Sequence, residues 1–228
     1  MKFVIIGLGN FGSALSISLT HMGHEVVAAD YDMDKVESYK DQITHTIQVN
    51  GREMSSLQTL PLQNADAVIV GIGEDFGSSV EVTANLKQIG VPRLIARAIT
   101  AVHQTVLEAI GVDEIIHPEQ ETAERLAHRL EIKGVLDSFD IASGYKIVEA
   151  AVPERYVGKT VAEVDFRKNY NVNIVTIVKK EKSTNSLGIE LKKENVVGVF
   201  APDRKFEEDD ILVLFGAMTD MDSLLDLK

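Results

Sequence analysis

The sequence predicts an α/β fold: a six-stranded parallel sheet, followed by a small α+β C-terminal domain. Three observations predict it. Apolar strand signals alternate with helical patterns from residue 2 to about residue 133, the alternation of a doubly wound sheet. The strand segments are almost wholly apolar, as strands covered on both faces must be. After Gly134 the texture changes to alternating strands between polar turns, which suits a smaller, mostly antiparallel unit. The expected boundaries are 1–134 and 140–228, with the connection between Gly134 and Ser143.

The first stretch is the most informative. Phe3, Val4, Ile5 and Ile6 enter Gly7-Leu8-Gly9-Asn10-Phe11-Gly12; a helical pattern follows, and a second apolar run ends on Asp30-Tyr31. Strand, glycine turn, helix, strand and acid stand in the order of a Rossmann-like dinucleotide unit. Gly7 permits the tight turn, Gly9 lets a phosphate approach the backbone, and Gly12 lets helix and sheet close together. The new helix turns its free N–H groups and positive dipole end toward an anion. Asp30 falls about 20 residues on, where a carboxylate accepts from a ribose diol and repels a 2′-phosphate, so NADP is disfavoured.

The remaining elements continue the alternation. A helix with an acidic first turn is expected at 32–41, a strand at 43–49, and a short helix at 54–60 stopped by Pro61. A strand at 65–70 leads into Gly71-Ile72-Gly73-Glu74. A helix at 76–89 ends at Gly90 with Pro92 beyond, a normal stop. A strand at 93–98, a helix at 101–110, a strand at 114–117 and a helix from Pro118 to about residue 133 complete the domain. Ligands of such sheets sit above the carboxyl ends of the strands. Those ends supply Asp30, Asn50 with Gly51, Gly73 with its neighbours, Arg97 and Glu119.

In the second domain, strands are expected at 145–152, 172–179, 196–200 and 211–215, and a short helix at 160–165. Residues 180–188 read as a polar turn, and 202–210 as an acidic one.

Bulk properties narrow the function. The formal net charge is −12, which argues against nucleic acid or anionic lipid as the main partner. With no cysteine, disulfides, thiolate nucleophiles and Cys-based metal sites are excluded. The chain enters a core strand at residue 2, so no signal peptide is expected, and no apolar run is long enough to span a bilayer. A cytoplasmic location follows as the expectation.

The chain resembles the Trk/Ktr-type potassium-uptake regulatory proteins, the RCK family with TrkA-N and TrkA-C domains. GLGNFG (7–12), AAD (28–30), VNG (49–51), VGIGEDFGSSV (70–80), ARA (96–98) and IGVDEIIHPE (110–119) carry the resemblance in the first domain. GKTVAEVDFRKNYNVNIVTI (158–177) and EEDDILVLFG (207–216) carry it in the second.

The resemblance implies a nucleotide-binding regulatory subunit rather than an enzyme. It implies homodimers that build an octameric ring, peripheral to the membrane, under an integral potassium transporter. The nucleotide would be ATP, ADP, AMP or NAD(H), held by Gly7, Leu8, Gly9, Asn10, Phe11 and Gly12, by Asp30 and Tyr31, by Asn50 and Gly51, by Ile72, Gly73 and Glu74, and by Arg97. Similar proteins use a carboxylate at the position of Glu119 to help hold a divalent cation, Mg²⁺ or Ca²⁺, near the phosphates. Some relatives bind cyclic di-AMP in the second domain, where Val164, Asp165, Arg167, Asn173, Ile174 and Pro202 correspond; a core role for Val164 and Ile174 competes. One departure stands out. ATP-binding relatives often carry arginine where this chain has Asn10, which supplies no charge to a terminal phosphate.

Other constellations point to no chemistry. The six histidines lack the HExxH spacing of a zinc site. Ser78-Ser79 lacks a nucleophile-elbow sequence. The run from Glu207 to Asp210 reads as a solvated turn. The alternative from another class is an NAD-dependent oxidoreductase, which requires a substrate domain contributing an acid or base.

Overall fold

A computed structural model describes residues 1–131, 135–184 and 190–225. The chain divides into two compact units, Met1–Glu121 and Thr122–Lys228.

The first unit follows the expected alternation. β1 (Lys2–Ile6), α1 (Asn10–His21), β2 (Glu25–Asp30), α2 (Met33–Tyr39), β3 (His45–Gln48) and α3 (Met54–Leu57) lead to β4 (Ala67–Val70). Then come α4 (Phe76–Ile89), β5 (Leu94–Arg97), α5 (Ala101–Ile110) and β6 (Glu114–Ile116), and α6 (Pro118–Glu131) starts in this unit and continues into the second. The six-stranded sheet has the order β3-β2-β1-β4-β5-β6. Every pairing in it is parallel.

Side chains alternate between two cores, which explains the nearly continuous apolar strands. Val4, Ile6, Val68 and Val70 pack with Val82, Leu86 and Leu94. Their neighbours Ile5, Val26, Ala28 and Ile69 pack with Leu8 and Val36. Strands covered on both faces leave ligands only the strand ends.

Helix ends follow local chemistry. Asp32 caps α2 through the Asp34 N–H, Asp75 caps α4 through the Ser78 N–H, and Thr100 caps α5 through the His103 N–H. α4 and α5 close on Gly90 and Gly111, both left-handed. The end expected for α6, residues 132–134, lies outside the described residues.

The second unit holds β7 (Val135–Ala142), β8 (Tyr145–Ala151), α7 (Val161–Val164), α8 (Phe166–Tyr170), β9 (Asn173–Thr184), β10 (Glu190–Val196), β11 (Asp210–Ala217) and α9 (Met218–Leu225). The five strands run in the order β10-β9-β11-β8-β7. All are antiparallel. Val148, Ala150, Leu212 and Leu214 bury one face against Phe166, Phe206, Met221 and Leu224.

Four sequence expectations are corrected here. The segment read as a connection is β7, whose Val135 and Ser138 are buried. β9 continues to Thr184, through part of the expected polar turn; residues 185–189 lie outside the described ones. The strand expected at 196–200 instead ends at Val196, because Gly198 takes φ 73°, outside any strand geometry. Asp210 is buried rather than solvated. Its two oxygens meet Arg204 Nη1 and Nη2 at 2.8 and 2.9 Å, and the Glu207 N–H donates to it as well. Helices α8 and α9 were not anticipated.

Candidate functional site

The strand order reverses between β1 and β4, the switch point where an open parallel sheet leaves a crevice. Topology sets the sequence-predicted residues out along one edge. Asn50 and Gly51 follow β3, Asp30 and Tyr31 end β2, the glycine loop follows β1, Ile72 to Glu74 follow β4, Arg97 ends β5, and Glu119 opens α6 after β6.

The glycine loop is held from both sides. Gly7 sits at φ 102° and donates its N–H to the Ala29 carbonyl at 2.7 Å. A β-carbon at Gly12 would collide with the Gly7 carbonyl oxygen, so the helix start closes directly on the loop. A β-carbon at Gly71 would lie 3.3 Å from Gly12 Cα. The turns after β1 and β4 therefore pack backbone against backbone. Gly71 was not among the predicted residues; the signal for it was the second glycine turn, Gly71-Ile72-Gly73.

Gly9 differs from its neighbours. It is the N-cap of α1, has an extended backbone, and receives no side-chain cap. A β-carbon there would meet no heavy atom within 4 Å. The first turn of α1 contains no acid. The N–H groups of this end thus meet no side-chain cap, whereas α2, α4 and α5 each give one to Asp32, Asp75 and Thr100.

Asp30 is buried, and its carboxylate is already working within the protein. Oδ2 accepts from the Leu8 N–H at 2.6 Å and Oδ1 from the Asp32 N–H at 2.9 Å. It ties the glycine loop to the end of β2 while each oxygen keeps a second acceptor position. Leu8 contributes only backbone, since its side chain lies in the core. Tyr31 is exposed, and its carbonyl accepts from Gln48. Asn50 forms a local turn, accepting from the Arg52 N–H and donating to Glu53. Gly51 packs against Val82, a structural demand beside any binding role.

Arg97 and Glu119 meet. Arg97 Nη2 and Nε both engage the Glu119 carboxylate, the latter at 3.4 Å, and Nη1 reaches the Gly71 carbonyl at 3.5 Å. The guanidinium covers Gly73 and lies 5.8 Å from the centre of the Phe11 ring. Among the described residues, no three His, Cys, Asp or Glu side chains come together as metal ligands.

In the second unit, Asp165, Arg167, Asn173, Ile174 and Pro202 line an open depression of about 260 Å³. Arg167 Nε donates to Asn173 Oδ1 at 2.8 Å. Val164 is instead buried in the core, and Ile174 both packs on that core and lines the depression.

Fold and strand-edge geometry define a class: a Rossmann-type unit with an open glycine loop, joined in sequence to a small antiparallel sheet unit. The TrkA-N domain model matches residues 3–118. Ktr system potassium uptake protein C of Bacillus subtilis is 35% identical over 221 residues, covering 96% of this chain and 94% of that protein. Ktr system potassium uptake protein A of the same organism is 32% identical over 220 residues, covering 96% and 93%. The chain belongs to this family of TrkA-N potassium-uptake proteins. In fold it is similar to the GsuK RCK domain, with a TM-score of 0.63 at 17% identity, covering 99% of this chain and 47% of that one. Among the described residues, no helix is long and apolar enough to cross a membrane.

Proposed function

We propose that this chain is a nucleotide-sensing regulatory subunit of a membrane potassium transporter, acting by binding rather than by turnover. The observation that carries the proposal is the uncapped α1 terminus at Gly9, facing open space beside Asp30. Near full-length similarity to two Ktr uptake proteins supports it. A solved structure of similar fold, the GsuK channel bound to NAD (TM-score 0.63, 16% identity), suits the same reading.

The ligand is an adenine nucleotide: ATP, ADP, AMP or NAD(H). Its phosphates lie on the glycine loop, Gly7 to Gly12, and the ribose hydroxyls on Asp30. The adenosine is bordered by Tyr31, Asn50 and Gly51 on one side and Ile72, Gly73 and Glu74 on the other, and Arg97 faces the phosphates. A Mg²⁺ or Ca²⁺ ion shared with those phosphates would draw on Glu119. Cyclic di-AMP in the depression beside Arg167 and Asn173 is a second candidate effector.

Assembly supplies the output. The chain forms homodimers that build an octameric ring against the cytoplasmic face of the transporter. Nucleotide acts only through unequal affinity for two ring conformations. Potassium flux through the reconstituted transporter tests this. Nucleotide should change the flux, and Asp30→Ala should move that response to roughly ten- to a hundredfold higher nucleotide while subunit binding persists. A flux indifferent to every nucleotide, or nicotinamide-dependent turnover of a carbonyl substrate, contradicts the proposal.

A further inference from the structure

The loops at the carboxyl edge of the first sheet are rich in acid and poor in free positive charge. Asp30, Asp32, Glu53, Glu74, Asp75 and Glu119 stand there against two guanidinium groups, Arg52 and Arg97. Both are forked onto carboxylates: Arg52 onto Glu81 of α4, and Arg97 onto Glu119. The glycine loop adds only the neutral Asn10. A phosphate-bearing ligand on that loop therefore meets a guanidinium that is already neutralised.

The two partners of the Arg97 pair are not equivalent. The Arg97 side chain is 14% exposed, while that of Glu119 is 57% exposed. Arg97 is fixed by the Gly71 carbonyl, Gly73 and Phe11, whereas Glu119 stands in solvent at the helix start. When an anion arrives, Glu119 is the group that yields. A half-exposed ion pair is weak enough to be broken by a ligand. Even displaced, its charge stays at the edge of the crevice beside Arg97, and repulsion of a bound anion grows with the charge that anion carries.

We propose that Glu119 is a specificity-determining residue: it occupies Arg97 as an internal anion and makes the site discriminate against nucleotides of high phosphate charge. In the absence of divalent metal, mononucleotides with short phosphate chains and dinucleotides gain over the triphosphate. This rests on the assignment of the glycine-loop crevice as the nucleotide site.

The test is calorimetric titration of the full chain and its Glu119→Gln variant with AMP, ADP, ATP and NAD⁺, in buffer containing EDTA. Glu119→Gln should raise affinity in the order AMP, ADP, ATP, reaching roughly two- to fivefold for ATP, as expected for removal of one partly screened charge. In Glu119→Gln with Arg97→Ala that gain should shrink, because the two residues act through one contact. A merely structural role for Glu119 would shift all four ligands alike, and that result overturns the proposal, as does an unchanged ATP-to-AMP ratio. If the wild-type chain binds none of the four, the crevice assignment itself fails. If all four bind and only the charge ranking is missing, the assignment stands and the Glu119 inference falls.

Discussion

Asp30 ties the glycine loop to the end of β2, a task that the sequence pattern does not announce beside the ribose contact proposed for it. Asp30→Ala would remove the acceptor of the Leu8 and Asp32 amides. Losing it should cost about 1–3 kcal/mol of stability and weaken nucleotide roughly ten- to a hundredfold, checked by chemical denaturation and by titration. The positions of the edge residues were legible because alternating strands and helices put the ends of the parallel strands along one edge. Their pairings were not. Nothing in the sequence says that Arg97 rests on Glu119 across 22 positions, because that contact follows from strand order. The burial of Asp210 was hidden for a similar reason, since its acidic neighbours Glu207, Glu208 and Asp209 are all exposed and only strand entry turns Asp210 inward.

At the scale of elements, that buried pair is a staple for β11. Burial opposes ionisation of Asp210, but hydrogen bonds from Arg204 and the Glu207 amide outweigh it and hold its carboxyl below the usual range. A lowered folded value means the stabilisation is complete above the ordinary carboxylate pKa, about 3.9, and is lost as pH falls toward the folded one. Arg204→Ala should destabilise the second unit by about 3–5 kcal/mol, because it strands a buried charge, and calorimetric melting measures this. His103, on α5, behaves in the opposite sense. It is buried beneath Phe76 with neither ring nitrogen hydrogen-bonded, and burial lowers its pKa. Its neutral form is favoured by folding, so stability should fall as pH drops below about 6.5, and His103→Leu should flatten that part of the pH–melting curve. The parallel sheet was readable element by element because strands buried on both faces leave continuous apolar runs. The antiparallel unit was less so. β7 mixes Asp137, Ser138 and Asp140 with its apolar residues, and β9 ends in the charged run Lys179-Lys180-Glu181-Lys182, which a turn would also explain.

At the scale of the whole molecule, the central claim is that the gap over Gly9 exists for a ligand and not for packing. The resemblance to potassium-uptake regulators was legible across both domains, yet ligand identity was not, since charge balance at the crevice depends on the pairing of Arg97. The ring assembly proposed above should appear as a discrete multiple of the chain mass in native mass spectrometry. The most direct test is calorimetric titration of ADP and NAD⁺ into the wild-type chain and Gly9→Ala. Gly9 has ordinary backbone angles and open space around its missing β-carbon, so the variant should melt within about 1 kcal/mol of wild type. The added methyl stands where a phosphate would approach, and nucleotide affinity should drop tenfold or more, about 1.4 kcal/mol at least. Wild-type affinity in Gly9→Ala would contradict the account.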